Sequence, residues 1–187
     1  MIKSIQYKPT GKIVIFSLVL TNVVYAVMLG YTIPMLMEYS SGLPIFDMSP
    51  SGYSYEQASI LLSNLGEDGR DFYFLQLALD FVYPALFGMS YYFLIQWILY
   101  KSAIKNIMWQ WVSLLPIVAA GFDYSENINI WIMLSSFPDL PELLVKVASK
   151  LTIAKSMLVL SYWVGLLVLI LFVLARKFSR RSVDTVS

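Results

Sequence analysis

Long apolar runs alternate with short polar stretches along the whole chain. Four of the runs, over residues 13–36, 72–100, 107–123 and 151–174, are of the length and apolarity that a membrane-crossing helix needs. They predict an all-α polytopic membrane protein, a four-transmembrane-helix bundle forming a single domain over 1–187. Only a few residues connect the second and third runs, so those helices are expected to be antiparallel neighbours. Basic residues ahead of residue 13 would also suit a signal peptide. The run that follows is longer than a secretory apolar core, however, and no A-x-A site ends it.

The polar stretches predict smaller elements. The first outer loop, 39–71, opens irregularly with Gly42, Pro44, Pro50 and Gly52. It then turns periodic: Ser54 and Gln57 have capping-box spacing, Ala58, Leu61, Leu62 and Leu65 recur at helical intervals, and Gly66 is a natural stop. A short amphipathic helix from about Tyr55 to Asn64 is expected, lying on the outer surface, with a new helix starting at Asp68. In the second outer segment Pro141 suits a helix start, so the fourth helix is expected to project beyond the membrane. Pro34, Pro84 and Pro116 fall inside the runs, where proline kinks a helix and frees a carbonyl that neighbouring helices can re-satisfy. The basic tail, 178–187, is expected to be disordered and to favour anionic lipid.

Composition and charge add orientation. Of the 187 residues 58% are hydrophobic and 13% charged, about half the charge a soluble domain carries, so membrane lipids are the expected surroundings. Lys3, Lys8, Lys12, Lys101, Lys105, Arg176, Lys177, Arg180 and Arg181 flank the runs on one side, and eleven of the twelve acids lie on the other. By the excess of Lys and Arg in cytoplasmic loops, both termini are cytoplasmic, the setting being a plasma (inner) membrane. Cysteine and histidine are absent. That excludes the usual zinc sites, iron–sulfur clusters, His- or Cys-ligated haem, and Ser-His-Asp or Cys-His catalysis. No metal site and no cofactor is expected, and acid–base chemistry would fall to carboxylates, Lys or Tyr. No basic, aromatic-interleaved patch points to nucleic acid.

Some charges fall inside the runs, where they are expensive and face protein or water. At the helical rise, Asp80, 21 residues from Lys101, stands ~31 Å above the cytoplasmic anchors. Asp123 and Glu126, 18 and 21 residues from Lys105, stand ~27 and ~31 Å up, and Lys155, 21 residues before Arg176, ~31 Å. Tyr31 and Thr32 of the first run reach the same level. Asp123, Glu126 and Asn127 share a helical face, as do Ser149, Thr152, Lys155 and Ser156. A shared polar layer near the outer edge of the hydrocarbon core is therefore expected. Asp80, Asp123 and Glu126 are its candidate catalytic acids; with Asn127, Thr152, Lys155 and Tyr31 they are the candidate ligand-binding residues. Ionised, the acids outnumber Lys155, so a proton, a cation or Arg70 is needed to complete the layer. Lower down, Asn22 beside Thr21 has Ser161 as a possible partner across helices.

LGEDGRDFY, then LDFVYP, then GFDYSENI form a pattern that resembles uncharacterised small four-helix membrane proteins of microbes, over roughly Gly52 to Asn127. The resemblance implies four spans and no particular activity. In layout the chain is also similar to the EXPERA-type proteins, four-span bundles with intramembrane acids that include sterol isomerases. It departs from them in lacking the loop cysteines and the isomerase histidine.

Three functions fit this pattern. The first is a non-catalytic accessory, ligand-binding or self-associating membrane protein, with lipids, other membrane subunits or its own copies as partners, whose polar layer either fixes helix register or binds a ligand. The second is a small membrane enzyme using carboxylate acid–base chemistry on a lipid or isoprenoid. The third is a cation transporter or channel at an oligomer axis, since no polar path continues to the cytoplasmic side of one protomer.

Overall fold

The computed structural model describes residues 8–184, and for 179–184 the backbone alone. Every regular element among them is helical. Helix α1 (Gly11–Val27) passes through a π-helical turn (Met28–Thr32) into α2 (Ile33–Tyr39). A loop with one 3₁₀ turn (Phe46–Met48) leads to α3 (Tyr55–Asp80), followed by α4 (Tyr83–Lys101), α5 (Ile107–Ser136) and α6 (Glu142–Asp184). Three stretches among the described residues, Gly11–Tyr39, Tyr55–Lys101 and Glu142–Phe178, are long and apolar enough to cross a membrane, which marks a membrane protein. Helix α5 packs between α4 and α6, and α1 lies against α4. Ile15, Phe16, Val19 and Val23 of α1 and Leu160, Leu167 and Leu171 of α6 remain exposed, as suits helices bathed in lipid.

The second apolar run is not one helix. Pro84 has no N–H to give the carbonyl four residues back, at Asp80, and its ring crowds that carbonyl. The chain breaks at Phe81–Val82 and restarts as α4. The capping box at Ser54 is present, its hydroxyl accepting from Gln57 N–H and the Gln57 side chain accepting from Ser54 N–H. Gly66 interrupts α3 at φ 62°, ψ −171°, a conformation open essentially to glycine alone. The small amphipathic helix before it differs from expectation in where its apolar face goes. Ala58, Leu61, Leu62 and Leu65 are buried against Leu36, Ile45, Tyr73, Ile130 and Met133. The helix roofs the bundle, because packing into that core removes more apolar surface from water than an interfacial seat; each buried Leu contributes about 1.5–3 kcal/mol.

Two further boundaries shift. Helix α5 runs past 123 to Ser136, since no breaker intervenes until Phe137, which precedes Pro138 and takes the extended geometry (φ −64°, ψ 135°) that proline imposes on its predecessor. Helix α6 begins beside Pro141, as expected, but continues to Asp184. No Gly or Pro stops it, so the tail expected to be disordered is helical over 178–184, and 185–187 lie outside the described residues.

Candidate functional site

Four segments converge beneath the roof. The break after α3 leaves Asp80 as that helix's last residue. Helix α5 turns Asp123, Glu126 and Asn127 inward, and α6 turns Thr152 and Lys155 toward them. The fourth segment is the outer loop. Its 3₁₀ turn buries Ile45 and Phe46 completely or nearly so and delivers Asp47 beside them.

Lys155 is the hub. Its Nζ lies 3.0 Å from Asp123 Oδ1 and 3.4 Å from Asp47 Oδ1, and it is ion-paired with Glu126 Oε2. Glu126, fully buried, accepts at its other oxygen from Thr152 Oγ1 at 2.5 Å. Tyr73, also fully buried, accepts from the Phe46 N–H at 3.2 Å and donates to Asp47 Oδ2 at 3.3 Å, so it locks the loop turn and its carboxylate together. Asn127 Nδ2 donates to the Asp80 carbonyl at 2.8 Å.

The Asp80 carboxylate differs from the others. It is 3% exposed, and its Oδ2 has no hydrogen-bond partner among the described residues. One carboxylate oxygen each from Asp47, Asp80 and Asp123 lie within 4.8 Å of one another. Two unit charges at that distance and an effective dielectric of ~20 repel by about 3 kcal/mol. Ionised together, the four acids would leave three charges uncompensated by Lys155. Asp80 also sits at the negative end of the α3 dipole, which favours a cation there and disfavours an anion. The chamber therefore calls for further positive charge, whether proton or ion.

Between chamber and outside stands Tyr53. Its N–H donates to Ser149 Oγ on α6 at 2.9 Å, and its ring packs on Phe46 at 4.7 Å between centroids. Burial, helped by the negative charge of Glu126, pushes the Tyr53 phenol up, so it stays neutral. Gly52 next to it, at φ 81°, passes so close to α6 that a Cβ would meet Ser149 Oγ at 2.6 Å. Two outer crevices flank this point. One, of about 180 Å³, is bounded by Leu43, Phe46, Tyr53 and Leu61; the other, of about 510 Å³, by Tyr53, Glu142, Lys146 and Ser149. Neither is lined by Asp80, Asp123, Glu126 or Lys155.

Of the residues expected in the polar layer, the structure brings together Asp80, Asp123, Glu126, Asn127, Thr152 and Lys155. It does not bring Tyr31, which is 56% exposed and packs edge-on against Phe72. The π-helical turn carries one extra residue per turn and rotates Thr32 inward instead, where it donates to Gln76 Oε1. Arg70 stays out as well. It donates to the Leu62 carbonyl at 3.0 Å and lies over the Phe137 ring, spanning the kink at Gly66. Ser161 bonds back to its own helix, and Asn22 donates to the Leu18 carbonyl of its own; between helices, Thr21 Oγ1 lies 3.0 Å from Ser90 Oγ and 3.1 Å from the Leu86 carbonyl, and Asn22 hydrogen-bonds Tyr91. Lower still, Gln96 donates to Gln110 and Ser113, polar groups that the sequence leaves unremarked in the half of the bundle away from the roof. Phe87, Tyr91 and Tyr162 form an apolar cluster in that half too.

Asp47, Tyr53 and Tyr73 are the site residues that helix arithmetic misses. Asp47 belongs to an irregular loop, for which no height can be calculated. The signal was Ile45-Phe46 between Pro44 and Pro50, an apolar pair with no reason to face water. Compared with family models, curated proteins and solved structures, the chain matches none.

Proposed function

We propose that this chain is a four-span integral membrane protein, with α1, α4, α5 and α6 crossing the bilayer and both termini in the cytoplasm, that acts by non-catalytic binding at the capped chamber. The lysine-rich ends of the helices support the orientation. Helix α5 is not among the three stretches that are apolar enough to cross by composition; its Asp123, Glu126 and Asn127 turn into the chamber, and it packs between α4 and α6.

A single observation carries the binding reading. Lys155 reaches at once the loop residue Asp47 and the α5 acids Asp123 and Glu126. Charge in the chamber thus governs whether the outer loop stays seated, and occupancy there is transmitted to the roof that a partner or a second copy would meet. Buried charge of this kind can also fix helix register, and the two roles reinforce each other here.

Acid–base chemistry on a lipid or isoprenoid draws no support from the geometry: the acids pack on one another and on Lys155, and neither crevice reaches them. Transport through one protomer is likewise unsupported, as Phe87, Tyr91 and Tyr162 are packed together in the cytoplasmic half.

Hydrogen exchange on the purified protein in nanodiscs tests the coupling. Replacing Lys155 with Met should raise exchange across 44–54 while leaving α4 protected. Unchanged protection of the loop would remove the basis for the binding reading.

A further inference from the structure

Resting on the reading that the chamber is a binding centre, we infer that its ligand is a hard divalent cation of calcium's size, held by Asp47, Asp80 and Asp123. The donor set is the first argument. Only carboxylate oxygens converge, without nitrogen or sulfur, and such sets suit calcium, magnesium or manganese rather than zinc or copper. The spacing is the second. Calcium–oxygen bonds of about 2.3–2.6 Å put opposite ligands about 4.6–5.2 Å apart. Three oxygens within 4.8 Å of one another already fall inside that span. Magnesium demands near-ideal octahedral geometry and dehydrates reluctantly, so it is expected to bind such a carboxylate set less readily.

Two buried oxygens without partners belong to residues of this layer. Asp80 Oδ2 is one. Asn127 Oδ1 is the other; that residue is fully buried, on the same face of α5 as Asp123, and tied to Asp80 through its amide nitrogen. These oxygens are two of eight buried side-chain atoms without a hydrogen-bond partner among the described residues, and both belong to residues of the acidic layer, where a cation would satisfy them. Lys155 shares two of the three ligands, and Tyr73 takes Asp47 Oδ2, yet both leave lone pairs for an ion. The lysine neutralises one of four carboxylates, and its contacts to Asp47 and Asp123 both use Oδ1, each oxygen having a second lone pair. A divalent ion would reduce the remaining three charges to one and would sit at the negative end of α3. The side chains of Asp47, Asp123 and Lys155 keep 11–14% of their surface exposed, which leaves an ion a way in.

The experiment uses the full chain in nanodiscs, stripped with a chelator, with calcium titrated over ~1 µM to ~1 mM, the span of sensor and extracellular sites. Thermal midpoint and radioactive calcium binding are both read. A saturable rise in midpoint with stoichiometric binding is expected, magnesium acting more weakly and sodium not at all. D80N should weaken calcium by at least roughly tenfold, the loss that even an outer-shell partner can cause, and should melt no lower than the ion-free wild type. D47N, in the loop, provides the same test should D80N not fold, and E142Q, on the exposed start of α6, should respond as wild type does. Equal calcium response in D80N and wild type overturns the site, as does an equal response to sodium. No calcium response in wild type, combined with D80N raising the midpoint, also overturns the metal assignment but keeps the chamber, held then by a proton. If D80N and D47N alter neither stability nor binding, the chamber reading itself falls.

Discussion

The Asn127 side-chain amide donates to the backbone carbonyl of Asp80 at 2.8 Å, which is the carbonyl that Pro84, four residues on, has no N–H to serve. One hydrogen bond thus repairs a proline break and ties α5 to the end of α3. Replacing Asn127 with Leu should strand that buried carbonyl at a cost of about 1–3 kcal/mol. A fall of several degrees in thermal midpoint is expected in detergent. A midpoint within a degree of wild type would show that water or a neighbour serves the carbonyl instead.

Lys155 is the only cation touching Asp47, Asp123 and Glu126 among the described residues. Its replacement by Met leaves a buried cluster of acids unpaired, and breaking a buried pair in this way costs about 3–5 kcal/mol. Adding E126Q to K155M should recover part of the loss, because the variant then buries one charge fewer. A double-mutant cycle on thermal or chemical stability measures the coupling; strict additivity would show that the lysine acts alone.

Gly52 combines φ 81° with a site where an added Cβ would lie 2.6 Å from Ser149 Oγ and 2.8 Å from Ile153 Cδ1. Gly52→Ala should cost about 1–3 kcal/mol through backbone strain alone. Limited proteolysis should then cut near Tyr53 sooner than in wild type. Gly66→Ala tests φ separately, since nothing lies within 4 Å of a Cβ there; it should destabilise the roof helix by strain and not by collision.

The absence of cysteine allows a direct test of topology. Single cysteines at Ser63 in the roof helix and at Ser102 after α4 should react with an impermeant maleimide from opposite sides of oriented cells. Labelling of both from the same side contradicts the four-span arrangement.

Much of the chamber was legible because helices make distance calculable. Asp80, Asp123, Glu126 and Lys155 sit at matching heights from basic anchors, and regular rise turned those counts into one layer. The same arithmetic misplaced Tyr31, because a π-helical turn is silent in the pattern and rotates every later side chain. It could not see Asp47, whose loop has no period. The capping box at Ser54 and the stop at Gly66 were local signals and were readable as such; the packing of Leu61 and Leu62 onto Tyr73 and Met133 was not local.

By itself the sequence determined that the chain is helical and belongs in a membrane, because apolar runs of spanning length and the lack of polar surface admit little else. It also determined, through missing histidine and cysteine, which chemistries are closed to it. Tertiary structure alone decided that a loop aspartate joins two acids of α5 around one lysine, with Asp80 close by. Burial of Ile45 and Phe46 draws the loop inward, and Pro84 ends α3 at Asp80, so that long-range packing sets the spacing of charges that the linear pattern leaves far apart.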